Sequence, residues 1–195
     1  MQNRNSTILP GNDAAGTFSP NRRVGRLFPL KSLPELVSAA DFVDAMRGAV
    51  TGVNIATTDG AAGRFGVTVS AFSSVSAEPP MVLVCVNRRS PVSDALAINK
   101  CFAVNVLSTS HQSLADIFAG NPNGSAAYDF GTARWTKSAT GAPVLSDAVA
   151  GFDCALATTV DAGTHRIFIG RVVEVSTSAA DPLLYSNRTY GRLGR

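Results

Sequence analysis

The sequence predicts a mainly β fold with inserted helices, most simply an antiparallel barrel whose connections carry those helices. Three observations point there. Short apolar or alternating runs bounded by Gly, Pro, Asn and Asp recur from Gly52 to the C-terminus. Helical periodicity is confined to a few segments. Nowhere do strands and helices alternate regularly enough for a doubly wound parallel sheet.

Residues 1–36 are rich in Asn, Gly, Pro and Arg and show neither period, so they are expected to form an N-terminal arm, flexible or wrapped on a dimer partner. The domain is expected over residues 37–195. "SAADFVDAMRGAV" opens it as a helix, with Ser38 and Asp41 as a capping pair and Phe42, Ala45, Met46 and Ala49 on one face. "GVNIATTDG" alternates Val53, Ile55 and Thr57 against Asn54, Ala56 and Thr58 and meets the turn signal Asp59-Gly60. "GVTVSAFSSVSAEPP" is expected as one second strand, which Pro79-Pro80 separates from "MVLVCVN", a continuous apolar run suited to burial on both faces.

"RSPVSDALAIN" reads as a helix with Ser90 as cap, Pro91 at its first position, Asp94 in its first turn, and Val92, Ala95 and Leu96 facing inward. "CFAVNVL" alternates as a strand. "STSHQSLADIFAG" carries a capping box formed by Thr109 and Gln112, sets Leu114, Ile117 and Phe118 on one face, and stops at Gly120. Residues 121–143, around the single Trp135, are expected as loop. Two strands follow in "GFDCALATTVDAG" and "THRIFIGRVVEVST", and "PLLYSNRTYGRL" ends the chain as a short strand and an aromatic tail.

With 195 residues, 45% of them hydrophobic and 16% charged, and a mean hydropathy of +0.14, the chain has ample material for a core. A formal charge of +3 without any long basic block gives no support to nucleic-acid binding, and Arg22, Arg23 and Arg26 read as a solvated tail. The three cysteines, Cys85, Cys101 and Cys154, share no CxxC spacing and sit among apolar neighbours, as buried reduced thiols do. No leader and no run of membrane-spanning length appears, so a cytoplasmic protein away from the membrane is expected.

"GAAGRFG" does not have the spacing of a dinucleotide-binding loop, and neither a P-loop, HExxH nor GxSxG occurs. An anion site is available instead in "VNRRSP". A strand ending at Asn87 and a helix beginning after Ser90 would leave free backbone N–H groups, the positive end of a helix dipole, and the Arg88 and Arg89 side chains at one junction. The hydroxyls of Thr68, Ser70, Ser73, Ser74 and Ser76 suit either a solvated strand face or a polar ligand, and the small Ala71 would let a flat ligand approach the backbone. His165 follows a turn and begins a strand, whereas His111 fits a surface role in a first helical turn. Two histidines far apart, with no cysteine pair near, leave no metal site.

Taken in order, "GVTVSAFSSVSAEPPMVLVCVNRRSP", "CFAVNVL", "HQSLADIFAG", "GAPVL", "DCALATTVDAGTHRIFIGRV" and "PLLYSNRTYGRL" resemble the short-chain flavin reductases that partner two-component flavin-dependent monooxygenases. The resemblance covers about Asp41 to Leu193. It implies a split antiparallel β-barrel of FMN-binding type, a homodimer, and reduction of FMN or FAD by NADH or NADPH, the reduced flavin passing to a separate monooxygenase. It implies a site as well. Arg64, Gly66, Val67, Thr68, Ser70 and Ala71 would wrap the flavin ring and ribityl chain, with Cys85, Val86 and Asn87 beside them. Ser90 and Pro91, after Arg88, would meet the phosphate, and Ile117 and Phe118 would approach from the following helix. Gly163, Thr164 and His165 would lie at the nicotinamide, His165 positioning it.

Asn54, Thr164 and Ser186-Asn187 depart from that pattern, which has an apolar residue, an acidic residue and an aromatic-acidic pair there. Two other readings stand beside this one: a non-catalytic FMN-binding module, acting as sensor or electron carrier, and an enzyme using Cys85 or Cys101 as nucleophile.

Overall fold

The computed structural model describes residues 34–121, 124 and 126–194, and the compact unit Ser38–Arg195 holds every element named below. The expected arm, apart from residues 34–36, lies outside the described residues, as do Arg22, Arg23 and Arg26. Helix α1 (Ala39–Arg47) begins as its sequence dictates, with Ser38 Oγ accepting the Asp41 N–H at 3.1 Å. No residue of α1 is buried, and its apolar side chains Phe42 and Met46 stand 56% and 51% exposed.

The barrel sheet contains β2 (Asn54–Thr58), β3 (Phe65–Val69), β4 (Phe72–Ala77), β5 (Pro80–Asn87), β6 (Cys101–Val106), β9 (Ala150–Ala162) and β10 (His165–Thr177). Their spatial order is β3-β2-β6-β9-β10-β5-β4, every pairing antiparallel. The segment expected as one strand is therefore two. Ser70 and Ala71 break it, and β3 and β4 become the two outermost strands of the sheet. At this corner, the two-residue link between the outermost strands, the Phe72 N–H bonds Ser70 O (3.1 Å) and Ala71 O accepts the Cys85 N–H (3.0 Å), continuing the β4–β5 ladder. The β4–β5 turn holds a cis Glu78–Pro79 bond, and Pro80 already pairs with Ala77.

β5 buries Val82, Val84 and Val86 but leaves Met81, Leu83 and Cys85 half-covered, so only one of its faces lies in the core. That core comprises Ala56, Val84, Val86, Phe102, Val104 and Phe168 from the strands, closed at one end by Val92 and Leu96 of α2 (Pro91–Asn99). Gly170 of β10 admits Phe102 to it: a Cβ there would stand 2.6 Å from Phe102 Cζ and 2.7 Å from Cys154 Cβ.

A second core lies outside the barrel. Ile55, pointing away from the face of Ala56, joins Leu107, Leu145 and Leu183 with Leu114, Ala115, Ile117 and Phe118. The last four lie on α3 (Gln112–Phe118), which a 3-10 turn at Thr109–His111 precedes. The capping box here is Ser108 with His111, one residue earlier than expected. His111 Nδ1 accepts the Ser108 N–H at 3.1 Å because the chain enters through the 3-10 turn.

The region expected as loop contains a 3-10 turn (Phe130–Thr132) and a hairpin of β7 (Trp135–Lys137) and β8 (Pro143–Leu145), elements too short to show a period. The aromatic tail is likewise a strand. β11 (Leu184–Ser186) and β12 (Thr189–Gly191) form a hairpin across Asn187 and Arg188, both at positive φ, and β1 (Thr51–Gly52) pairs with β11.

Candidate functional site

β3 is bonded to β2 on one side only, so alternate N–H and C=O groups along it are directed away from β2. Its even-numbered residues, Gly66 and Thr68, lie beneath α3. The Thr68 hydroxyl donates to Ala115 O at 2.7 Å, so it is spent on the fold and retains only acceptor capacity. A Cβ on Gly66 would meet Phe118 Cε1 at 2.7 Å, which accounts for the glycine by aromatic packing. Of the remaining hydroxyls on this stretch, Ser73 donates to Ser74 O and Ser76 accepts the Glu78 N–H. Ser70 is exposed beside the small Ala71, on the corner that links the outermost strands. A free strand edge next to an exposed hydroxyl and a methyl fits the polar edge and flat face of an isoalloxazine.

From this corner the contacts run straight to His165. Ala71 O holds Cys85 N, two residues before Asn87, and Asn87 is the cross-strand partner of His165. Arg88 N–H donates to Thr164 O (3.0 Å), and Thr164 Oγ1 lies 2.9 Å from His165 Nδ1. The turn at Gly163 (φ +58°) and Thr164 is thereby fastened to the start of α2.

Of the backbone donors expected to be free at that junction, those of the turn itself are engaged. Arg89 N–H bonds Asn87 Oδ1 and Ser90 N–H bonds Asn87 O, both at 2.9 Å, because the chain makes a tight turn between β5 and α2. Ser90 occupies the N-cap position without a side-chain cap bond, so its hydroxyl stays available.

Two recesses flank this turn. On one side Ser90, Pro91 and Val92 face Arg64, Gly66, Tyr128 and Phe130 across about 230 Å³. Arg64 is held there by Asp59 (2.9 Å) and by the Phe130 ring (5.7 Å to its centroid). On the other side Arg88, Arg89 and Arg166 border an open depression of about 680 Å³ with Asn87 and Thr164. Arg166 grips Asp161 at 2.6 Å, and that guanidinium holds the Asp161 carboxyl below the usual carboxylate range. A third groove, of about 250 Å³, adjoins the corner and is lined by Thr68, Ser70, Asp116, Tyr185 and Tyr190. The Tyr190 hydroxyl donates to Asp116 at 2.7 Å, and burial together with that carboxylate raises its pKa.

Several expected site residues turn inward. Val86 (2% exposed), Ile117 (7%) and Phe118 (0%) are core side chains. Val86 follows the pleat of β5, and Phe118 packs edge-on to Phe130 and Trp135. Val67 leans into the barrel core. His111 is buried rather than on the surface, with Nε2 3.2 Å from Asp147. Cys85 is half-buried rather than buried, and burial raises its thiol pKa, so it is not an activated thiolate, while Cys101 is 7% exposed, with its Sγ 3.5 Å from Asp59 O and closed off from a substrate. Buried Asn54 answers its departure from the family pattern by bonding Gly52 O and Val69 O. Sequence reasoning missed Tyr128, Phe130, Arg166, Tyr185 and Tyr190, since their strands and turns are set by distant packing. The pairing of Arg166 with Asp161 across a hairpin turn was the one available signal.

A family profile described as "Flavin reductase like domain" matches residues 46–194. The chain is 44% identical over 159 residues to the FMN reductase (NADH) RutF of Bradyrhizobium diazoefficiens, covering 81% of this chain and 87% of that one. Among solved structures it resembles the NADH:FAD oxidoreductase SgcE6 of Streptomyces globisporus (TM-score 0.71, 33% identity, 83% of this chain and 98% of that one). It also resembles BorF, the flavin reductase component of a bacterial two-component tryptophan halogenase (TM-score 0.72, 31% identity, 81% and 99%).

Proposed function

The chain belongs to the flavin reductase-like family, and on that premise we propose that it oxidises NADH to reduce FMN and releases the reduced flavin to a separate oxygenase component. The observation that supports this reading best is the convergence of the Ser70–Ala71 corner, the end of β5 and His165 through consecutive contacts. These are the segments a flavin and a nicotinamide would share.

The free edge of β3 and the Ser70 hydroxyl hold the polar edge of the ring, and Ser90 with Arg64 meets the phosphate. His165, its Nδ1 steadied by Thr164 Oγ1, orients the nicotinamide. The flavin supplies the hydride-accepting chemistry when bound. The chain's part is orientation, which in well-aligned systems removes about 7–11 kcal/mol of barrier. Backbone donors along β3 favour the negative charge that accompanies reduction.

Homodimerisation agrees with the exposed apolar side chains of α1, Phe42, Val43 and Met46, and with Val50 beyond them. Light scattering of the purified protein tests it. FMN and NADH are favoured over FAD and NADPH because the 44%-identical relative carries those two in its name. Steady-state assays with the four pairings decide. Sustained NADH oxidation with excess FMN is expected, whereas a single turnover per site would identify a carrier module.

A further inference from the structure

The groove beside the Ser70–Ala71 corner holds a carboxylate that no ion pair neutralises among the described residues. Asp116 of α3 lines it with Thr68 and Ser70 on one side and Tyr185 and Tyr190 of the β11–β12 hairpin on the other, around about 250 Å³. Its Oδ1 accepts the Tyr190 hydroxyl at 2.7 Å, and it enters none of the ion pairs of the described residues. We infer that Asp116 sets the protein's preference between the two redox states of the flavin: its charge, shared with Tyr190, disfavours the reduced form at the β3 edge and promotes its release. This rests on the reductase reading.

Position and charge carry the assignment. Thr68 Oγ1 donates to Ala115 O at 2.7 Å, so α3 is pinned to β3 one residue before Asp116 and the carboxylate is fixed relative to the strand edge. Asp116 is half-buried, and a groove this small keeps its lining groups inside the screening length of about 8 Å at physiological salt.

Hydride transfer carries two electrons and one proton from NADH to the flavin, leaving NAD+ and a flavin with one additional negative charge. On the proposed reading that charge develops at the polar edge of the ring, along β3 and Ser70. The oxidised ring is neutral there, so Asp116 opposes the product and not the substrate. Backbone donors of β3 bind either form, and the carboxylate across the groove supplies the difference between them. A reductase that hands its flavin to another protein has to let the reduced form go.

The test titrates the full-length protein anaerobically with FMN and with dithionite-reduced FMN. Asp116→Asn keeps an oxygen to accept the Tyr190 hydroxyl but removes the charge. It is expected to tighten reduced FMN about tenfold and leave oxidised FMN unchanged, which raises the midpoint potential of the bound flavin by about 30 mV for two electrons. Tyr190→Phe removes the donor that shares the charge, so it is expected to shift the potential the other way, weakening reduced FMN about threefold. An unchanged ratio of the two dissociation constants in Asp116→Asn, equal changes for the two forms, or shifts of the same sign in the two variants would overturn the assignment. If the wild type binds both forms and Asp116→Asn moves their ratio, yet NADH oxidation is absent, the reductase reading falls and the role of Asp116 stands. A wild type that binds neither form overturns both.

Discussion

Asn87 and His165 are cross-strand partners at the ends of β5 and β10. One residue beyond the pair, Arg88 N–H donates to Thr164 O, so the helix start and the hairpin turn move together. On the proposed reading the flavin phosphate meets Ser90 and the nicotinamide meets His165, on different sides of this junction, and the two sides can be tested separately.

The His165 side chain is exposed and, among the described residues, bonded only to its neighbour's hydroxyl, so its removal is expected to leave the fold intact. His165→Ala is expected to raise the KM for NADH or lower kcat between about threefold and thirtyfold, the worth of one polar contact. Flavin affinity, followed by fluorescence quenching, should not change. Unaltered kinetics would remove His165 from the nicotinamide site.

Ser90 tests the other side. Its hydroxyl takes no part in capping α2, so Ser90→Asp introduces a carboxylate at the helix N-terminus, a position that tolerates it structurally. The same charge repels a phosphate. FMN affinity is expected to fall at least about tenfold while riboflavin, which lacks the phosphate, binds as before. Equal losses for both flavins would place the phosphate elsewhere.

How much of this was legible in the sequence follows from the range of the forces involved. The end of β5 and the starts of α2 and β10 were legible because local chemistry fixes them: Ser90-Pro91 opens a helix, and Gly163 at positive φ turns a hairpin. The Ser70–Ala71 corner was not. Neither residue is a breaker, and the strand bends there because its halves pair with β2 and β5, partners distant in the chain. Phe118 was legible as part of the apolar face of α3, whereas its edge-on partners Phe130 and Trp135 were not, since they come from a region with no readable period. Val86 was expected beside the flavin with Cys85 and Asn87, but the pleat of β5 turns it to the opposite face, into the core.

Gly170 supports the barrel core rather than the site. Adding a methyl there brings it to 2.6 Å from Phe102 Cζ and 2.7 Å from Cys154 Cβ, and Phe102 is wholly buried, with nowhere to retreat. Gly170→Ala should cost about 2 kcal/mol, near the middle of the range for overpacked cores, and lower Tm by about 5 °C. A thermal melt at wild-type Tm would show that β10 relaxes.

The cap of α3 gives a prediction with its own rescue. His111 Nδ1 accepts the Ser108 N–H at 3.1 Å, whereas the Asp147 contact at Nε2 is to an exposed carboxylate and contributes little. His111→Ala should lose about 1–2 kcal/mol in urea unfolding. His111→Gln restores an acceptor at the third helical position and should recover much of it. Equal losses in both variants would assign the effect to packing.

Tyr190 links stability to alkaline pH. Its hydroxyl donates to Asp116 at 2.7 Å, and burial plus that negative charge disfavour the phenolate, so its pKa in the folded protein lies above the ordinary tyrosine value of about 10. The unfolded chain therefore gives up this proton first. Between the ordinary value and the folded one, the native state binds more protons than the unfolded state, and stability falls as pH rises. The contribution is fully present below pH of about 10. Tyr190→Phe keeps the ring against Tyr185 but has no proton to lose, so its unfolding free energy should decline less steeply above that pH than the wild type's. Denaturant melts across the alkaline range check it, and parallel slopes for the two proteins would show that Asp116 does not hold the phenol.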